Sequence, residues 1–250
     1  MTARALVLRT AGTNCEVETA YAFELVGVET QTIHIAALIK QPRLLGDFRF
    51  VAIPGGFSYG DDVASGRIFA NELLAMLGEE LSRFIDGGGY AIGICNGFQV
   101  LVKAGLLPRL SHKTEQQATL THNISGRYED RWVRCRTRIS RCAWMPSEES
   151  QIELPVAHAE GRFTAPESVL NQLQEQGQIA LCYEDQDNFN GSQRAIAGIC
   201  DPSGRVLGLM PHPERFLRFE NHPCWTRLPP QREGQGVSLF RAAARHAKEN

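Results

Sequence analysis

Apolar and polar positions change period several times along the first hundred residues. Ala5–Leu8, Thr30–Ile35, Phe50–Ile53 and Tyr90–Ile94 have strand length and are bounded by polar, Gly or Pro residues. Between them the period lengthens. Val17–Leu25 predicts a helix carrying Ala20, Tyr21 and Leu25. Ile68–Ile85 predicts a long amphipathic helix stopped by Gly87-Gly88-Gly89. Phe98–Ala104 predicts a shorter helix directly after the fourth strand. The order β-α-β-β-α-β-α predicts an α/β fold, a mostly parallel sheet with helices on both faces. The second half is richer in strands, at Trp132–Ile139, Ile179–Tyr183, Ala195–Cys200 and Val206–Met210. Asp201-Pro202-Ser203-Gly204 predicts a hairpin turn between the last two, and Val237–Ala247 a closing helix. His222–Gly236 is polar and rich in Pro and Gly, as expected of a surface loop.

In a parallel sheet, ligands sit beyond the carboxyl ends of the strands. Three segments place chemistry there. The first is Gly93-Ile94-Cys95-Asn96-Gly97-Phe98-Gln99, a strand running into a Cys at a tight turn and then a helix. The N–H groups and dipole of a helix start favour negative charge, and flanking glycines allow a sharp turn close to the strand. A lone Cys is more often a core residue, so its neighbours decide the reading.

The second segment is Met210-Pro-His-Pro-Glu-Arg215 after an apolar strand. Prolines on both sides of His212 predict an extended stretch, in which residues two apart share a face. Glu214 then reaches one imidazole nitrogen and leaves the other for a thiol, the order nucleophile, base, orienter. The third segment runs from Phe50 through Pro54-Gly55-Gly56-Phe57 to Asp62. Its glycines let backbone approach a ligand, and N–H groups near Gly56 and Phe57, with that of Asn96, predict an oxyanion hole.

Composition narrows the field. A net charge of −2 argues against a bulk polyanion binder, and 43% apolar with 22% charged residues suits an ordinary globule. The 250 residues suffice for one large α/β domain, expected to span 1–250. The start, Met-Thr-Ala-Arg, is too short and charged for a signal peptide, and no apolar run approaches the roughly 18 residues of a membrane span. Seven cysteines without a C-x-x-C pair suit a reducing, cytoplasmic setting. No metal-ligand motif and no G-x-x-x-x-G-K-[ST] loop occurs, so neither metal nor nucleotide is expected on this chain. Arg134, Arg136 and Arg138 alternate with Val133, Cys135 and Thr137, predicting a basic strand face: solvated, or a docking surface for an acidic partner.

The combined strings resemble the class I (triad) glutamine amidotransferases, and within them the glutaminases of phosphoribosylformylglycinamidine synthase. Cys95-Asn-Gly-Phe-Gln99, Pro54-Gly-Gly-Phe-Ser-Tyr-Gly-Asp61 and Met210-Pro-His-Pro-Glu-Arg215 carry the likeness. Thr13-Asn14-Cys15-Glu16, Arg131-Trp132-Val133, His158-Ala-Glu-Gly-Arg-Phe163 and Asn190-Gly-Ser192 with Ile196-Ala-Gly-Ile199 extend it over about residues 5–216. The resemblance implies a flavodoxin-like architecture and glutamine hydrolysis by Cys95, His212 and Glu214. It implies ammonia delivery to a synthetase that converts formylglycinamide ribonucleotide to formylglycinamidine ribonucleotide, with ATP and magnesium on that partner. A large synthetase subunit and a small accessory subunit are the implied partners, and a chain of this length starting at Met1 looks like the free glutaminase subunit. Gln99 is implied to line the glutamine pocket with Gly55, Gly56, Phe57 and Asn96; local bonding within the helix is the alternative for Gln99. His158 and Glu160 are placed near the site or a partner face, or in a capped loop, without assigned chemistry. Ala11 stands where the family pattern has proline, and the loop at about 218–236 with the closing helix extends beyond the usual motif end. The competing readings are a glutaminase serving another synthetase, a stand-alone Cys hydrolase, and a catalytically silent binding module.

Overall fold

The computed structural model describes residues 3–61, 66–111 and 115–249; Met1 and Thr2 of the predicted start, and Asp62, lie outside them. The first half builds β1 (Arg4–Arg9), α1 (Glu16–Glu24), β2 (Glu29–His34), α2 (Ile35–Lys40), β3 (Phe50–Ile53), α3 (Arg67–Asp86), β4 (Tyr90–Ile94) and α4 (Asn96–Lys103). The second half builds β5 (Thr119–His122), β6 (Glu129–Thr137), β7 (Gln151–His158), β8 (Glu160–Thr164), α5 (Glu167–Glu175), β9 (Ile179–Tyr183), β10 (Ile196–Cys200), β11 (Val206–Leu209) and α6 (Val237–Glu249).

Nine strands form one sheet in the order β2-β1-β3-β4-β11-β10-β9-β6-β7, while β5 and β8 pair separately. The five strands from β2 to β11 are parallel neighbours. From β11 outward every pairing is antiparallel. The α/β expectation is met, and the sheet is extended by an antiparallel wing. β3, β4 and β11 are buried at every position, as strands covered on both faces must be.

Helix α3 buries Phe69, Ala70, Leu73, Leu77, Leu81 and Ile85, the three-and-four spacing of one helical face. α4 is buried from Asn96 to Val102, because it lies against the sheet on one side and under the β5–β8 ribbon on the other. Phe98 of α4 stacks on Phe163 of β8 at 6.3 Å. α6 closes the opposite face: Phe240 meets Phe23 edge-on at 5.2 Å and Trp144 at 6.3 Å. The Trp144 indole N–H donates to the Arg205 carbonyl at 2.8 Å, satisfying the one polar atom of that buried ring.

The predicted hairpin turn is present: the Asp201 carboxylate accepts from the Ser203 hydroxyl at 2.7 Å and the Val206 N–H at 3.0 Å, and Ser203 Oγ accepts from the Arg205 N–H at 3.2 Å. The basic stripe on β6 is also present, but it is neutralised within the chain. Arg134 pairs with Asp187 at 2.7 Å, Arg136 with Glu184 at 2.8 Å and Arg138 with Glu149 at 3.5 Å. Among the described residues no helix is long and apolar enough to cross a membrane.

Candidate active site

Four neighbouring parallel strands, β1, β3, β4 and β11, deliver side chains to one edge of the sheet. β3 ends at Ile53 and leads to Gly55; β4 ends at Ile94 and leads to Cys95; β11 ends at Leu209 and leads to His212. β1 leads to Cys15, immediately before α1. A Cβ built on Gly55 would stand 2.8 Å from His212 Cε1, 3.4 Å from Cys15 Sγ and 3.5 Å from Cys95 Cβ. That one point is where the four strands' chemistry converges, and only a glycine leaves room for it.

Cys95 occupies the sharp turn between β4 and α4 at φ 52°, ψ −106°. A non-glycine residue there costs about 1–3 kcal/mol, and its surroundings must hold it. Its N–H donates to the Leu209 carbonyl at 2.8 Å, and its own carbonyl accepts from the Phe98 and Gln99 N–H groups at 3.0 and 3.1 Å. The turn is close because Gly97 has no side chain: a Cβ there would sit 1.8 Å from the Ile53 carbonyl oxygen. A Cβ at Gly93 would sit 2.5 Å from the Gly97 carbonyl oxygen. The Cys95 thiol is 6% exposed, and its Sγ lies 3.7 Å from the Ala157 carbonyl at the end of β7.

His212 is anchored by its N–H, which donates to the Pro155 carbonyl at 2.8 Å. Its Nδ1 lies 2.6 Å from Glu214 Oε1, with the two side chains 2% and 0% exposed. A carboxylate can only accept, so Nδ1 is the donor and Nε2 is the nitrogen left for proton exchange. Nε2 has no aligned hydrogen-bond partner among the described residues, although the Cys95 and Cys15 thiols both lie close enough to act on the ring. Burial alone would push the imidazole pKa down. The Glu214 carboxylate and the two thiols outweigh it and hold it well above the ordinary histidine value.

The backbone after His212 differs from the expected extended stretch. Pro213–Arg215 form one 3₁₀ turn, and this turn, rather than strand alternation, swings Glu214 back to the ring. Proline suits the first position of such a turn, where no N–H is needed.

Two expected pocket residues are committed elsewhere. The Phe57 N–H donates to the Gly12 carbonyl at 2.8 Å, so it does not face the site; Gly56 is the N–H that remains from that loop. The Phe57 ring is 45% exposed and stacks at 6.3 Å on Tyr128, which is 50% exposed. Gln99 is 3% exposed; its Oε1 accepts from Asn96 Nδ2 at 3.0 Å and its amide nitrogen donates to the Glu160 carbonyl. Gln99 therefore ties α4 to β8 instead of lining a pocket. Asn96 also accepts from the Ser58 N–H at 3.3 Å, joining the glycine loop to the helix start.

His158 is buried, with Nδ1 donating to Asn123 Oδ1 at 3.1 Å and its ring stacked on Phe189. Burial, then the charge of His212, pushes its pKa down to about 3, so it is a neutral packing residue at neutral pH. Sequence reasoning missed three neighbours of the centre. Cys15 is fully buried and accepts a hydrogen bond from Arg215 Nη2 at 3.0 Å. The Ala157 carbonyl faces Cys95. Tyr128 feels the charges of Cys95, His212 and Arg215. None of the three has a spacing signal; only the tertiary fold brings them in. Ligand atoms of Cys15, His212 and Glu214 lie within 4.8 Å of one another, close enough to hold a metal ion.

The family model of the CobB/CobQ-like glutamine amidotransferase domain matches residues 2–247. A protein of Dehalococcoides mccartyi named "Phosphoribosylformylglycinamidine synthase subunit PurQ" is 44% identical over 256 residues, covering 98% of each chain. A protein of the same name from Treponema denticola is 42% identical, covering 86% of this chain and 88% of its own. Among solved structures, a chain of the "Structure of PurLQS from Thermotoga maritima" superposes with a TM-score of 0.76 at 29% identity, covering 98% of this chain and 99% of that one. A putative GMP synthase subunit from Thermoplasma acidophilum shares the fold at a TM-score of 0.58 and 15% identity.

Proposed function

From the premise that the chain belongs to the CobB/CobQ-like glutamine amidotransferase family, we propose that it is the glutaminase subunit of phosphoribosylformylglycinamidine synthase. The observation that carries this reading is the convergence of Cys95 and His212 around Gly55, with Glu214 held on the Nδ1 side of His212. The names of the curated relatives, at 37–44% identity, supply the choice of synthetase.

Cys95 Sγ attacks the side-chain amide carbon of glutamine. The thiol proton goes to His212 Nε2, and the charge of Glu214, which holds the imidazole pKa up, favours that transfer. In this reading the Gly56 N–H and that of Asn96 at the start of α4 would stabilise the charge that develops on the amide oxygen; each such donor is worth about 2.7–4 kcal/mol in comparable sites. His212 then passes its proton to the departing nitrogen, the C–N bond breaks, and ammonia leaves. Glu214 holds the ring in one orientation and stabilises its positive charge throughout. Water, deprotonated by His212, cleaves the glutamyl thioester, releasing glutamate and restoring the thiol.

Ammonia is consumed elsewhere. The partner in this reading is a synthetase that would spend ATP, with magnesium, on formylglycinamide ribonucleotide. The likeness to a chain of a PurLQS structure supports an assembly with a large synthetase and a small accessory subunit. Phe57 and Tyr128, exposed and stacked beside the catalytic edge, are the surface such a partner would cover.

The test is a Cys95→Ala chain assembled with its synthetase. Glutamine-dependent formation of the amidine is lost and ammonia-dependent formation persists. Loss of both in a folded variant overturns the division of labour.

A further inference from the structure

The segment 218–236 lies beyond the end of the family motifs and enters no step of the reaction described above. We propose that its end, Gly234-Gln235-Gly236, is a staple that positions the catalytic base, with Gln235 and Gly236 as positioning residues. The kinetic consequence rests on the glutaminase reading; the contacts do not.

The staple is pressed against the turn that carries His212 and Glu214. The Gly234 N–H donates to the Leu217 carbonyl at 2.9 Å, and the Gly236 N–H to the Phe216 carbonyl at 3.0 Å. A Cβ on Gly236 would sit 1.9 Å from the Pro213 carbonyl oxygen, and one on Gly234 would sit 2.3 Å from that of Phe216. Neither glycine has a positive φ, so the backbone conformation does not call for glycine at either position. Closeness does: the two stretches of main chain leave no room for a methyl group, and the tighter contact is to the residue directly after His212.

The same staple holds the strand on the other side of the base. β7 is the last strand of the sheet, so the N–H and C=O groups of its outer edge have no sheet partner. Gln235 Oε1 accepts from the Glu153 N–H at 2.7 Å, and two residues further along β7 the Pro155 carbonyl accepts from the His212 N–H at 2.8 Å. Staple and base therefore lie side by side on one strand, whose Ala157 carbonyl is 3.7 Å from Cys95 Sγ. Phe216 and His222 meet Trp132 of β6 edge-on at 5.0 and 4.6 Å, tying the segment to the next strand as well.

The staple is itself fixed. The carbonyls of Gly234, Gln235 and Gly236 accept from the N–H groups of Val237, Ser238 and Leu239 at 3.3, 3.1 and 3.4 Å, so the three residues lead directly into α6. α6 is anchored in the core by Phe240 against Phe23 and Trp144. A continuous path of packed chain runs from the core through α6 to the main chain at Pro213, and it limits where the His212 ring stands relative to Cys95. A misplacement of about 1 Å in such a pair costs on the order of 10²-fold in rate.

Gly236→Ala, Gln235→Met and Gln235→Glu chains are each assembled with the synthetase subunits, and amidine formation is followed with glutamine and with ammonia, with melting temperatures recorded. Gly236→Ala is expected to lower kcat with glutamine roughly tenfold to a hundredfold, with KM for glutamine and the ammonia-dependent rate held. Gln235→Met, an exposed change that leaves the core untouched, lowers kcat in the same sense, and Gln235→Glu, which keeps an accepting oxygen, restores it. Wild-type kcat in the Gly236→Ala and Gln235→Met assemblies overturns the proposal, as does a loss in Gln235→Met that Gln235→Glu reproduces in full. Should Gly236→Ala fail to fold, the two Gln235 variants decide alone. Glutamine-dependent turnover by the wild-type assembly is the common reference; its absence is the failure of the glutaminase reading, so the two failures are distinguishable.

Discussion

His212 Nδ1 lies 2.6 Å from Glu214 Oε1 in a place from which solvent is almost wholly excluded. Burial of a carboxylate is costly unless it is paired, and here the pair is also the device that fixes the imidazole. Glu214→Gln keeps the shape but removes the charge and lets Nδ1 lose its role as donor. Glutamine-dependent turnover is expected to fall roughly 10²–10⁴-fold, while ammonia-dependent turnover in the assembled enzyme holds. Steady-state kinetics with each nitrogen source check this; an unchanged glutamine rate would remove Glu214 from the mechanism.

The closeness of α4 to the sheet makes a second expectation. At Gly97 an added methyl would collide with the Ile53 main chain at 1.8 Å, and main chain cannot rotate away. Gly97→Ala is expected to lower stability by about 1–3 kcal/mol or more, read from the denaturant midpoint. At Gly55 the nearest atom is instead the His212 ring, 2.8 Å away. Gly55→Ala should therefore displace the ring and cost glutaminase activity out of proportion to its effect on stability.

His158 and His212 link stability to pH with opposite signs. His158 titrates at about 3 in the fold against 6.5 when unperturbed, so between these values the unfolded chain binds a proton that the native chain does not. Stability therefore falls as pH drops through that window, with a limiting slope of about 1.4 kcal/mol per pH unit. His158→Gln flattens this acid limb in urea titrations at stepped pH; an unaltered limb contradicts the neutral, buried assignment. His212, held above its ordinary value, contributes stability below pH 6.5 that fades as pH rises through its native pKa.

The arginine stripe on β6 makes a quieter expectation. Each guanidinium already has a carboxylate on this chain, and the arginine side chains are about half exposed. Arg136→Ala is expected to change stability by about 0–1 kcal/mol and to leave glutamine hydrolysis and assembly unchanged. A large loss of complex formation, seen by sedimentation, would make the stripe a docking surface after all.

Much of the parallel half was legible because a doubly covered strand is apolar throughout. Phe50–Ile53 and Tyr90–Ile94 match the expected bounds. β7 was missed because Glu153 and Pro155 interrupt it, and proline reads as a breaker although this strand lies at the sheet edge, where its missing N–H costs nothing. α5 was missed because it buries only Leu170 and Leu173 in an otherwise polar stretch. The nearness of Cys95, His212 and Glu214 was legible because the segments that carry them follow neighbouring strands. Local geometry was not: a 3₁₀ turn replaces the extended path to Glu214, and Gln99 and Phe57 spend their polar groups on the scaffold. Cys15 was least legible, since nothing in its spacing says that β1 and β3 are neighbours.

The central claim is that Cys95 is the nucleophile of a glutamine site. Mass spectrometry after exposure to the glutamine-analogue alkylator diazo-oxo-norleucine, with and without the synthetase subunits, tests it most directly. A single adduct on Cys95, formed faster in the assembly and absent from the six other cysteines, is the predicted result. A folded chain that gives no adduct at Cys95 under either condition contradicts it.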